Sequence, residues 1–188
     1  LDREAADPAA LGFGGLALNT FLFSMVNAGM IPAESLGAIL CMAFSYGGLA
    51  QFTAGMWDLR RGSVFGGTFF SSIGAFWMGL AATLILQDRG ILPVIPAVGM
   101  AVLYTAWGIF TGYASAAAVK TSKAATIVLA TLTMLLFLLA AGEFNPMIRV
   151  IAGYEGIISG LTAWYASAGT LINAVHGREL IPLGAPEE

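Results

Sequence analysis

The sequence predicts an all-α integral membrane protein, a bundle of six transmembrane helices. Three observations carry that prediction. Of the 188 residues, 58% are hydrophobic and only 10% are charged, and the mean hydropathy is +0.83. A water-soluble domain carries roughly 25% charged residues, so this chain has too few to cover a surface facing water. Six apolar stretches make up most of the sequence, each near or beyond the roughly 17–25 residues that cross the hydrocarbon as a helix. The alternating pattern of a barrel strand is missing, which leaves helices to satisfy the backbone in lipid.

The first stretch, Leu11–Ala28, follows Asp7-Pro8-Ala9-Ala10. Asp7 suits an N-cap and Pro8 a first helical turn. The second, Leu36–Trp57, holds the single cysteine, Cys41, which has no partner in the chain and reads as a small packing residue. Asp58, Arg60 and Arg61 separate it from the third, Val64–Leu86, which Asp88 and Arg89 follow. The fourth is Val94–Ala118, the fifth is Ala124–Ala141 after Lys120 and Lys123, and the sixth is Ile148–Ile172. The connections are short. The chain therefore divides into a short cytoplasmic segment 1–10, one six-helix transport domain 11–174 and a cytoplasmic tail 175–188. Its ending, Pro182–Glu188, reads as a solvated extension.

Charge orients the bundle. Six basic residues fall on the side of the termini, namely Arg3, Arg60, Arg61, Lys120, Lys123 and Arg178, against two, Arg89 and Arg149, on the other. The positive-inside rule then places both termini in the cytoplasm of a multi-pass plasma-membrane protein, a bacterial or archaeal inner membrane. No signal peptide is expected. Pro8, Gly55 and Trp77 recur at nearly equal spacing as Pro96, Gly142 and Trp164. With three spans between the two sets, that echo suggests a 3+3 inverted repeat of the kind found in transporters.

Catalysis is excluded for want of groups. The one histidine, His176, follows the last span, and neither it nor Cys41 builds a metal cluster or a nucleophilic triad. No cofactor or metal is expected. A net charge of −3 without a basic stripe gives no reason to expect nucleic acid. A solute path asks for less, only small polar groups along closely packed helices. Thr20, Ser24 and Asn27 share one helix face at i, i+4 and i+7, with Leu16 a turn earlier. Thr68 and Ser72 pair in the third span, and Glu155, Ser159 and Thr162 repeat the spacing in the sixth. Tyr46 and Gln51 add polar groups to the second.

Two readings of these stripes stand side by side: a shared polar interior, or hydrogen bonds that hold helices together. Glu155 has the same ambiguity. It is either a proton or charge site inside a span or an acid at headgroup level near Arg149. Gly108 with Gly112 and Gly156 with Gly160 form Gly-x-x-x-Gly pairs that let backbones approach, and Gly12, Gly14, Gly15, Gly47, Gly48, Gly66 and Gly67 extend the pattern. Trp57 and Trp164 are candidate interfacial anchors, while Phe69, Phe70 and Phe76 are packing or lipid-facing residues.

Taken together, several short motifs resemble the acetate uptake transporter family, which includes the bacterial succinate–acetate permeases. The family signature Asn-Pro-Ala-Pro-Leu-Gly is matched by Asp7-Pro8-Ala9-Ala10-Leu11-Gly12. Further matches are Asn27-Ala28-Gly29, Tyr46-Gly47-Gly48-Leu49-Ala50-Gln51, Arg61-Gly62, Phe65-Gly66, Phe76-Trp77, Trp107-Gly108, Tyr165, Gly177-Arg178 and Pro182, in order along almost the whole chain. The resemblance implies six helices per protomer, a homohexamer, and a path through each protomer for acetate and related small carboxylates, proton-linked or channel-like. It also implies a constriction at Leu16, Ile73 and Leu132, where the family has a Phe, a Tyr and a Leu. Only the Leu is kept, so the neck is expected to be more aliphatic and wider, with room for a larger or more apolar carboxylate.

The candidate substrate path is Thr20, Ser24, Asn27, Tyr46, Gln51, Ser72, Tyr104 and Ala163. Asp7 replaces the neutral signature residue and would place negative charge near the inner mouth. A channel for small neutral solutes such as urea or short amides is the alternative within transport. A non-transporting scaffold or receptor is the alternative outside it.

Overall fold

A computed structural model describes residues 6–184. Arg3 and the last four residues, on which parts of the charge and tail arguments rest, lie outside them. The described chain is all helix, with no strand among its residues. Helix α1 is Ala9–Asn27. Helix α2 is continuous but has three parts, α-helical Leu36–Met42, π-helical Ala43–Ala50 and α-helical Gln51–Arg60, preceded by a 3₁₀ turn at Ala33–Ser35. Helices α3 (Val64–Asp88), α4 (Ala97–Ala118), α5 (Lys123–Gly142) and α6 (Pro146–His176) follow. Five of the six, α1 to α5, are long and apolar enough to cross a membrane. The sixth has 31 residues, ample length, but its Gly, Ala and Ser content together with Arg149 and Glu155 dilutes its hydropathy. That composition follows from its place: it packs along both α1 and α5 and so needs small residues more than lipid-facing ones.

Local chemistry sets the ends. Ser63, Ser122 and Asn145 accept backbone N–H bonds from Gly66, Ala125 and Met147, capping α3, α5 and α6. Pro146 then opens α6, where its missing N–H costs nothing. At α1 the helix begins one residue later than a cap at Asp7 requires. Asp7 Oδ1 still accepts from Ala9 N–H at 2.9 Å, so the acid does serve the helix start.

Glycines determine which helices meet. Gly153, Gly156 and Gly160 of α6 face Ala28, Ser24 and Phe21 of α1 in opposing order, an antiparallel contact in which the α6 positions contribute no side chain. Gly55, Gly67 and Gly74 do the same between α2 and α3, against Ser71, Leu59 and Phe52. Gly108 and Gly112 meet Phe137 and Thr133 more loosely between α4 and α5. Helix α3 barely touches α4. The bundle is thus a chain of neighbours, α3–α2–α1–α6–α5–α4, whose two end helices leave a gap.

Three sequence expectations change. Asp58 is not a loop charge: it lies within α2, its side chain is 5% exposed, and its carboxylate fills the space that a side chain at Gly66 would take. Cys41 is exposed on α2 rather than packed. The start of the supposed solvated ending folds back on the bundle. Asn173 accepts from Leu180 N–H and Ile181 N–H at 2.7 and 2.9 Å and donates to Ile181 C=O, while Tyr165 donates to Pro182 C=O at 2.6 Å. Lys123 N–H and Ala124 N–H, orphaned at the start of α5, donate to Gly184 and Leu183 carbonyls.

Candidate functional site

The gap between α3 and α4 opens into a cavity of about 260 Å³ on the side away from the termini, here the distal vestibule. Thr20, Ser24 and Asn27 of α1 line one wall, Trp77 and Leu80 of α3 another, and Tyr104 of α4 and Leu132 of α5 a third. Glu143 and Arg149 stand at its rim, joined by a 2.8 Å ion pair across the short α5–α6 turn. A second cavity of about 380 Å³, the proximal vestibule, opens on the side of the termini and is lined by Asp7, Phe13, Asp58, Arg61, Phe70 and Ala125, among others. Arg61 Nη1 lies 3.2 Å from Asp7 and 3.4 Å from Asp58, so the charge of Asp7 is countered rather than bare.

The two vestibules are offset by nearly the same interval on three helices. The boundary residues are Phe13 and Thr20 on α1, Phe70 and Phe76 on α3, and Ala125 and Leu132 on α5. Six or seven residues at about 1.5 Å each make a septum about 10 Å thick. Its filling is aliphatic: Leu16 is 1% exposed, Ile73 2%, and Val128 and Leu129 are fully buried. On its proximal side Phe13 and Phe70 meet edge to face at 5.0 Å, with Phe69 beside them. Gly12 of the signature is a glycine for a physical reason, since the Phe70 ring lies against its Cα where a Cβ would stand.

The predicted residues separate into groups. Thr20, Ser24, Asn27, Tyr104 and Leu132 share the distal vestibule, while Leu16 and Ile73 are buried in the septum and line neither cavity. Of the signature, Asp7 lines the proximal vestibule, Pro8 precedes α1 and Leu11 is exposed. Tyr46, Gln51, Ser72 and Ala163, also expected on the path, line neither vestibule. The reason lies in α2. Its π-helical turn carries Gly47 against the Asn19 side chain and Tyr46 C=O against Gly15, closing the α1–α2 contact over Gln51. Gln51 is therefore fully buried beside α1, and no bond to its amide atoms is formed. Ala163 is sealed in the bundle, Ser72 is half-buried, and Thr68 is exposed.

Glu155 is 6% exposed and lies two and a half turns inside α6, which places it within the helix rather than at its end. Neither carboxylate oxygen has a hydrogen-bond partner, and Ser159 Oγ one turn on has none either. Neither residue lines a vestibule. Thr162 completes that face with a 3.4 Å contact to Thr131 of α5. Sequence reasoning missed four participants: Phe13, Phe70, Glu143 and the cavity-facing role of Arg149. The available signal was the i−3 spacing of Phe13 from Leu16 and of Phe70 from Ile73, which puts a ring one turn below each neck residue. Among the described residues no group of three His, Cys, Asp or Glu could hold a metal ion.

Known proteins share this architecture. The solved structure of the bacterial acetate channel SatP matches with a TM-score of 0.92 at 35% identity, covering 96% of this chain and 99% of that one. The succinate-acetate/proton symporter SatP of Escherichia coli K12 is 35% identical over 185 residues, 97% of each chain. An uncharacterised protein of Methanothermobacter thermautotrophicus is 36% identical over 191 residues, 97% of this chain and 93% of its own. A sequence profile of the GPR1/FUN34/yaaH family matches residues 1–177, and the chain belongs to that family.

Proposed function

We propose that this protein carries acetate and related small carboxylates across the plasma membrane, through a path in each protomer of a homohexamer. The observation that carries the reading is the pair of vestibules on opposite sides of one aliphatic septum. Both termini are cytoplasmic on this reading, in keeping with the basic residues on their side, so the distal vestibule faces outward. Residues 11–174 form the transport domain.

Charge is expensive in a dry passage. A carboxylate meets hydroxyls at Thr20, Ser24 and Tyr104 on the outer side, then only Leu16, Ile73, Val128 and Leu129. Crossing with a proton, as the neutral acid, fits that sequence of environments. The septum must open by side-chain rotation or helix movement, with Leu16, Ile73 and Leu132 as the constriction and Phe13 and Phe70 beneath it. The relatives named for acetate support the substrate class.

The test is uptake of radiolabelled acetate, propionate, lactate, succinate and urea into proteoliposomes, each with and without an imposed proton gradient. Acetate flux that rises with an inward proton gradient is expected. Acetate flux no greater than in empty liposomes refutes the substrate class, and flux indifferent to the gradient refutes proton linkage. The uncharged septum also suits a neutral solute, so urea flux that acetate does not inhibit would establish that alternative.

A further inference from the structure

The rim of the distal vestibule holds an ion pair that the transport reading does not use. Glu143 ends the α5 side of a tight turn and Arg149 lies in the first turn of α6. Asn145 caps that helix between them, and Gly142 packs on Arg149 so closely that an added Cβ would lie 3.0 Å from the Arg149 Cα and 3.1 Å from its N. The two side chains are unequally placed. Glu143 is tucked in, 12% exposed, while Arg149 is 41% exposed. One contact joins them, Arg149 Nη2 to Glu143 Oε1 at 2.8 Å.

A guanidinium has five N–H donors in a planar fork, and one carboxylate oxygen engages only part of that edge. Among the described residues lining this vestibule, Arg149 is the one cation. The hydroxyls of Thr20, Ser24 and Tyr104 and the amides of Asn27 and Gln87, which also line the cavity, can bond a carboxylate but do not offset its charge.

We propose that Arg149 is a carboxylate-capture residue at the mouth of the distal vestibule, and that Glu143 is its built-in competitor. An arriving carboxylate takes the open edge of the guanidinium and displaces Glu143 from the rest, exchanging one ion pair for another. The vestibule is thereby filled with anion without the tight hold that a lone arginine would give. Glu143 limits affinity so that the solute passes on toward Thr20 and Ser24. The inference rests on the carboxylate reading above, and it assigns recognition to two residues outside the predicted path.

The competing explanation is a structural clasp that fastens the α5–α6 turn. The two explanations differ in sign. A clasp is broken equally by Glu143→Gln and Arg149→Gln, whereas a competed capture site responds in opposite directions. The experiment measures acetate binding to the purified protein by saturation-transfer difference NMR, alongside proteoliposome uptake. Arg149→Gln should raise the apparent Kd roughly tenfold or more, the size of one charge-assisted hydrogen bond. Glu143→Gln should lower it, and Arg149→Lys should fall between wild type and Arg149→Gln.

Half-maximal uptake concentrations should follow the same order. Size-exclusion profiles identify a variant that fails to fold, and Arg149→Lys keeps the question answerable if Arg149→Gln does. Equal weakening by both Gln variants overturns the proposal, as does unchanged binding in both. Wild-type binding with the expected pattern but no flux upholds the capture site and overturns the transport reading. No wild-type acetate binding overturns the capture site, whatever the flux.

Discussion

Gly153 of α6 sets how closely α1 can approach. A Cβ added there would lie 2.3 Å from Ala28 N, 2.7 Å from its Cα and 2.8 Å from its Cβ. Ordinary carbon contacts are about 3.5–4.0 Å, and a backbone nitrogen cannot rotate aside. In Gly153→Ala the two helices must part by about 1 Å. Overpacking of this kind costs about 1–3 kcal/mol, and backbone against backbone belongs at the upper end. Replacing Gly by Ala in a helix interior returns about 1 kcal/mol of propensity. The net expected loss is about 2 kcal/mol.

Gly79→Ala on α3 is the matched control, since an added Cβ there meets nothing within 4 Å. It should gain the propensity term alone, about 1 kcal/mol. The two variants should differ by about 3 kcal/mol, or roughly 6–12 °C in melting temperature for a chain of this length. Thermal melts of detergent-purified protein, read as loss of the monodisperse size-exclusion peak, measure the difference. Gly153→Ala melting at or above Gly79→Ala would refute the argument that glycine contact sets the α1–α6 distance. The consequence reaches function, because the same contact seats Ser24 against Gly156 on the vestibule wall.

Leu16→Ala removes aliphatic bulk from the septum; it should destabilise the fold by about 2–5 kcal/mol and raise acetate flux per reconstituted protein. Flux unchanged or lowered would show that the septum is not the barrier. Asn173→Ala deletes three hydrogen bonds to Leu180 and Ile181, so limited proteolysis should cut near residue 180 faster, with a stability loss of about 1–3 kcal/mol at roughly 1 kcal/mol per bond. Equal cutting rates would mean that the tail is held elsewhere. Asp7→Asn keeps an acceptor for Ala9 N–H and removes only a half-exposed charge beside Arg61. Its stability should stay within about 0.5 kcal/mol of wild type, and a larger loss in the same thermal melt would give that ion pair a structural weight its exposure does not suggest.

The helices were legible because lipid imposes a long apolar run on each of them. The third was expected at Val64–Leu86 and lies at Val64–Asp88, and the fourth at Val94–Ala118 and lies at Ala97–Ala118. What a helix faces was harder to read, because lipid and protein interior are equally apolar and hydrophobic periodicity loses its contrast. Phe69 and Phe70 could not be assigned to lipid or core from sequence, and both are 1% exposed. The turn at Ala43–Ala50 was invisible for a related reason. A π-helix differs from an α-helix in hydrogen-bond register, which no side-chain pattern announces, and here it sets Tyr46 and Gln51 against α1 and outside both vestibules. Glu143 and Arg149 were visible only as charges between spans, since their pairing depends on the geometry of the α5–α6 turn.

That division also bears on the altered neck. With leucine and isoleucine at positions 16 and 73, loss of aromatic bulk suggested a wider passage, yet both residues are almost wholly buried. The bulk is supplied one turn away by Phe13 and Phe70, whose edge-to-face contact closes the proximal side of the same septum. On the proposed transport reading, Leu16 and Ile73 then need only exclude water. An aliphatic layer about 10 Å thick is a poor host for charge and tolerant of shape, whereas Arg149 is the reverse, a selector for charge with little sense of size. On the proposed reading these two demands are met in different places. Anionic solutes are gathered at the rim, and the septum then admits what can cross uncharged. Substitutions at Arg149 should then change which concentrations are effective, while those at Leu16 and Ile73 should change which solutes pass.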